Sequence, residues 1–73
     1  MRATGGRRRA VKQYLLQQLR LKAPLSEAEA RLLIRRLAES DYRVENWLTE
    51  RRIEVLLKIL EREGRLKGRL KLR

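Results

Sequence analysis

The spacing of apolar residues constrains this chain more than any other feature. From Val11 to Leu60 they recur three and four positions apart, the spacing of one helical face, in segments separated by breaks. Val11, Tyr14, Leu15 and Leu19 share a face, with Gln13, Gln17 and Gln18 mostly opposite. This first helix should end near Lys22, because Pro24 disfavours helical geometry at Ala23. Ser26 followed by Glu29 forms a capping box, in which each side chain can hydrogen-bond the other residue's amide. Ala30, Leu33, Ile34, Leu37 and Ala38 then define the buried face of a second helix, with Arg31, Arg35 and Arg36 outside it and Glu27–Arg31 as an i,i+4 pair.

Beyond Ser40-Asp41, a helix start, the stripe changes phase. Val44, Trp47 and Leu48 cluster on one side of a helical wheel, and Ile53, Leu56, Leu57 and Leu60 lie about half a turn away. One straight surface helix cannot aim both sets at one core. Thr49, a natural N-cap, stands at the change, so the segment reads as two helices. Gly64 ends the second, and Leu66, Leu70 and Leu72 then alternate with Lys67, Arg69, Lys71 and Arg73, as in a strand with a basic face. The expected organisation is mainly α: a small helical bundle with helices at about 8–22, 26–39, 41–48 and 50–63, a body over 10–64, a flexible basic arm over 1–9 and a basic strand or tail over 65–73. Gly5-Gly6 argues for the mobile start.

With 73 residues, no Cys and no His, such a bundle has no disulfide and lacks the commonest metal ligand and general base. Its acidic residues show no metal-ligand spacing, and no loop has phosphate-cradling glycines, so neither a metal nor a cofactor is expected. Apolar runs reach only three residues, far below the roughly 20 that cross a bilayer, and no signal-peptide core is evident. A cytoplasmic, non-enzymatic protein without membrane contact is expected.

Charge then points to a partner. The net charge of +11 sits almost wholly at the ends. Residues 1–25 hold seven basic side chains and no acid, residues 64–73 hold five and no acid, and the stretch between nets −1. A neutral body with cationic ends suits a polyanion, most often nucleic acid. Arg7, Arg8, Arg9 and Lys12 are candidate phosphate or minor-groove contacts, and Lys67, Arg69, Lys71 and Arg73 a phosphate-gripping edge. Trp47 and Tyr42 could stack on bases, but in a chain without Phe they are expected mainly as core. Glu54–Lys58 reads as helix support, Lys58–Arg62 as like-charge repulsion. Val55 and Ile59, off the main stripe of the last helix, are candidate homodimer contacts or the edge of a wide core face.

Thr49, Ile53, Leu56, Leu57, Leu60, Gly64 and Leu66, followed by a short basic strand, resemble the end of a winged helix-turn-helix domain. The run Leu60-Glu61-Arg62-Glu63-Gly64-Arg65-Leu66 is similar to the motif that closes that family's recognition helix before its wing. The likeness covers residues 49–73 well and 10–40 loosely. It implies a helix-turn-helix fold in which Thr49, Arg51, Arg52 and Lys58 face the DNA major groove. Two departures are plain: only ten residues follow Glu63, short for a two-stranded wing, and the last helix balances its basic residues with Glu50, Glu54, Glu61 and Glu63. Val44, Trp47, Leu48, Arg51 and Arg52 are also spaced as in the third helix of a homeodomain, with Leu15, Leu19, Leu25, Leu33 and Leu37 at similar intervals upstream. That likeness implies a minor-groove arm at Arg7–Arg9, although Glu50 stands where the base-reading Asn belongs and the stretch after Arg52 is aliphatic.

The resulting expectation is duplex DNA binding, in transcription regulation or a phage- or plasmid-type replication or recombination role. An RNA- or ribosome-associated helical protein and a helical protein-interaction module are the alternatives.

Overall fold

The computed structural model describes the backbone of residues 3–70 and the side chains of residues 10–70. Four helices lie among the described residues: α1 (Ala3–Lys22), α2 (Glu27–Ser40), α3 (Tyr42–Trp47) and α4 (Glu50–Arg62). α1 begins at Ala3 rather than near residue 8, so the segment expected as a flexible arm is helical from Ala3 onward. Gly5 and Gly6 each cost a helix about 1 kcal/mol relative to Ala. No proline lies between Ala3 and Arg9, however, and propagation adds one backbone bond per residue once a helix exists.

The remaining boundaries follow local chemistry. α1 stops at Lys22, just ahead of the cis Ala23–Pro24 peptide. The Ser26 hydroxyl accepts from the Glu29 amide at 3.1 Å, and the Ser26 amide donates to Glu29 Oε1 at 2.9 Å, completing the capping box. Extended backbone at Asp41 ends α2, and its carboxylate caps α3 by accepting from the Arg43 amide at 2.9 Å. Leu48 and Thr49 are both extended, and this break lets the two out-of-phase stripes reach one core. Thr49 Oγ1 accepts from the Arg52 amide at 3.1 Å, which caps α4.

At the far end of α4, Gly64 adopts φ +75°. Its amide donates to the Glu61 carbonyl at 3.0 Å and the Arg65 amide to the Leu60 carbonyl at 2.9 Å. This pair of bonds is the Schellman closure, which satisfies carbonyls left over at a helix end.

Among the described residues the core is wholly aliphatic: Leu15, Leu16, Leu19, Ala30, Ile34, Val44, Ile53, Leu56, Leu57 and Leu60 are buried, and no polar or charged residue is buried with them. Burying each large aliphatic side chain contributes roughly 1.5–3 kcal/mol. Val11, Leu33, Leu37, Ala38, Trp47 and Leu48 pack around this cluster half-buried, as their spacing predicts. α1 differs on one point. Leu16 takes the inward place expected of Tyr14, whose ring is 39% exposed.

After Gly64 the chain turns back to the α1–α2 linker. The Leu25 amide donates to the Arg65 carbonyl at 3.2 Å and the Lys67 amide to the Leu25 carbonyl at 2.7 Å, forming one parallel bridge between Leu25 and Leu66. Among the described residues no longer strand forms: a single bridge stands where a basic strand was expected. Leu66 and Leu70 still share a side, both packing against the core, with Gly68 between them at φ +81°. No helix among the described residues is long and apolar enough to cross a membrane.

Candidate nucleic-acid interface

α4 positions the residues expected at a nucleic-acid surface. Ile53, Leu56, Leu57 and Leu60 turn one face of the helix inward. By the helical repeat, the opposite face then carries Arg51, Val55, Lys58 and Arg62. All four are exposed, and the three cations have no ion-pair or hydrogen-bond partner among the described residues. With a rise of about 1.5 Å per residue, Arg51 and Arg62 stand roughly 16 Å apart along the axis. Sequence reasoning did not single out Arg62 as a contact, although its i,i+4 relation to Lys58 was the signal for it.

The acids that balance α4 in the sequence do not share this face. Glu50 receives Arg31 Nη1 at 2.8 Å, and Arg31 also reaches Glu27 at 3.3 Å. Glu61 accepts from the Leu70 amide at 3.0 Å, tying the C-terminal segment to α4. Glu63 holds Arg20 through two bonds of 2.9 and 2.5 Å and Arg65 at 3.0 Å. The Arg20 guanidinium is the main reason that the Glu63 carboxyl lies below the usual carboxylate range. Glu54 lies half-buried on the flank and makes no ion pair with Lys58 among the described residues. The sequence-level neutrality of α4 therefore resolves into a cationic outer stripe and acids engaged largely by the protein's own groups.

Arg52 differs from its neighbour Arg51. Its Nη1 donates to the Trp47 carbonyl at 2.6 Å, and its guanidinium lies 5.0 Å from the centre of the Trp47 ring. It fastens α3 to α4. Thr49 is exposed, with its hydroxyl engaged by the cap.

The other expected contacts are dispersed. Lys12 is half-buried on α1. Lys67 lies 3.7 Å from Glu29 at the start of α2. The Glu29 carboxyl is held low mainly by the Ser26 amide, and then by the charge on Lys67. Arg69 is exposed and unpaired among the described residues. The side chains of Arg7, Arg8 and Arg9, and all of Lys71 and Arg73, lie outside the described residues. Of the two candidate dimer contacts, Ile59 packs against the core, which leaves Val55, 39% exposed, alone among the cations. Arg35 and Arg36, on the outer face of α2, are further exposed cations without partners among the described residues. Comparison with protein-family models, curated proteins and solved structures returned no match for this chain.

Proposed function

We propose that this protein is a non-enzymatic, cytoplasmic nucleic-acid-binding domain of helix-turn-helix type that presents α4 to duplex DNA. The observation that carries this reading is the outer face of α4, where Arg51, Lys58 and Arg62 are exposed and unpaired among the described residues while Glu50, Glu61 and Glu63 are engaged elsewhere. The major groove, about 12 Å wide, admits an α-helix, and exposed Arg and Lys can contact phosphates or guanine edges there. Val55, between the cations, suits an apolar contact such as a thymine methyl. The short α3, the two-residue break and the capped α4 are in keeping with the helix-turn-helix likeness. Residues 65–73 would then serve as a short wing-like flank, and Arg7–Arg9 with Lys12 as a second phosphate contact. Transcription regulation, or replication or recombination of a phage or plasmid type, is the natural setting.

The test is fluorescence anisotropy on duplex DNA, single-stranded DNA and an RNA hairpin across a salt series. Wild-type protein should prefer duplex and show a steep negative salt slope. The triple variant Arg51→Gln, Lys58→Gln, Arg62→Gln should shallow that slope by about 0.9 for each phosphate that is no longer neutralised. If the triple variant binds duplex as tightly as wild type, the reading fails. A preference for the hairpin would reassign the surface to RNA.

A further inference from the structure

The chain contains three aromatic residues, Tyr14, Tyr42 and Trp47, and all three line one groove of about 800 Å³ between α1, α3 and the start of α4. The buried members of the core are all aliphatic; Trp47 packs against them half-buried, and both tyrosines are exposed. In so small a protein this placement runs against the burial energy of a large ring, which dominates core energetics wherever it is available. Tyr42 is 71% exposed. Polar groups stand on the same walls. Arg43 and Asn46 come from α3, and Arg52 lies over the Trp47 ring. Asp41 is also there, but it is paired to Arg43 at 3.1 Å and caps α3. On the α1 side the groove is lined by Ala10, Val11 and Tyr14 among the described residues.

We infer that this groove binds an unpaired nucleobase of a single-stranded nucleic acid, stacked on the tyrosine rings with its phosphates toward the arginines. Planar aromatic walls recognise the π-face of a base, which every base presents once it leaves the stack. Asn46 can both donate to and accept from a base edge. In an intact duplex those faces are covered, so this site cannot serve the duplex mode assigned to α4. The inference shares with that mode a nucleic-acid partner, but not its surface. Charge complementarity selects the occupant: the protein carries +11, and among the described residues the groove is lined by two arginines, Arg43 and Arg52, against one acid, Asp41. An acidic peptide would satisfy the cations and leave the rings unused.

The experiment uses the sole tryptophan as its probe. Full-length protein is titrated with a short oligothymidylate, an oligouridylate of equal length, an abasic phosphodiester of the same length and a duplex, while Trp47 fluorescence is followed. The two base-bearing single strands should quench saturably, and the abasic strand should quench far less. Tyr42→Ala should weaken oligonucleotide binding about fivefold or more, Tyr42→Phe should retain it, and both should keep the helical circular dichroism of wild type. Equal quenching by the abasic strand, or unchanged affinity in Tyr42→Ala, would overturn the inference. Duplex binding without quenching by single strands leaves α4 standing and removes the groove, and the opposite result does the reverse. A difference between the two base-bearing strands identifies DNA or RNA as the source of the base.

Discussion

Arg51 and Arg52 are adjacent in the chain and do different things. Arg51 projects from the outer face of α4, whereas Arg52 is drawn under the α3–α4 junction by the Trp47 carbonyl and ring. A hydrogen bond from a charged group contributes about 1.5–3 kcal/mol, and a partly exposed cation–π contact about 0.5–1 kcal/mol. After allowance for solvent exposure, Arg52→Ala should destabilise the protein by about 1–2 kcal/mol, seen as a lower urea midpoint with Trp47 fluorescence as the signal. Arg52→Lys should recover only part of this, because an ammonium cannot lie flat on the indole as a guanidinium does. Arg51→Ala should leave the midpoint within about 0.5 kcal/mol, as expected of an exposed residue without partners among the described residues. Equal midpoints for the two alanine variants would mean that Arg52 does not tie α3 to α4.

Helix ends carry much of the stability that can be assigned at the scale of the element. Replacing Ser26 by Ala removes one half of the capping box and should cost about 1 kcal/mol in a chemical melt. Gly64 is a cleaner probe. A Cβ there would meet nothing within 4 Å, so any cost of Gly64→Ala is backbone strain at φ +75° rather than a clash. That strain is about 1–2 kcal/mol for an L-residue in the left-handed region. Gly64→Asn should cost less, since Asn tolerates that region better. If Gly64→Ala is neutral, the Schellman closure is not holding the C-terminal segment against Leu25.

For the whole molecule, pH dependence follows from three carboxylates with lowered pKa. Glu63 is held down by Arg20 first, Asp41 by the Arg43 side chain first and Glu29 by the Ser26 amide first. A carboxylate whose folded pKa lies below its unfolded value stabilises the fold fully above the unfolded value, near pH 4. That contribution is lost as pH falls through the lower folded value. Thermal melts should therefore hold steady from neutral pH to about 5 and decline below about 4. Glu63→Gln should lower the neutral-pH plateau and make the acid limb shallower. A limb identical to wild type would mean that the Arg20–Glu63 clasp between α1 and the end of α4 does not contribute.

The amino-acid sequence by itself determined the number of helices and most of their ends. Pro24, the Ser26–Glu29 box, Asp41, Thr49 and Gly64 act through hydrogen bonds and backbone geometry within a few residues, and such signals are legible without a fold. The break near Thr49 was legible for the same reason: the apolar phase on either side admits no single straight helix. Tertiary structure alone decided which charges remain free. Glu50 is neutralised by Arg31 and Glu63 by Arg20, partners 19 and 43 positions away that only packing brings together. It also decided that the segment after Gly64 pairs with Leu25 through one bridge, and that Leu16 rather than Tyr14 turns inward, which gathers all three aromatic rings in one groove. Local signals set where a helix begins and ends. Which of its faces is left to meet a partner depends on contacts distant in sequence, and those exist only once the helices have packed.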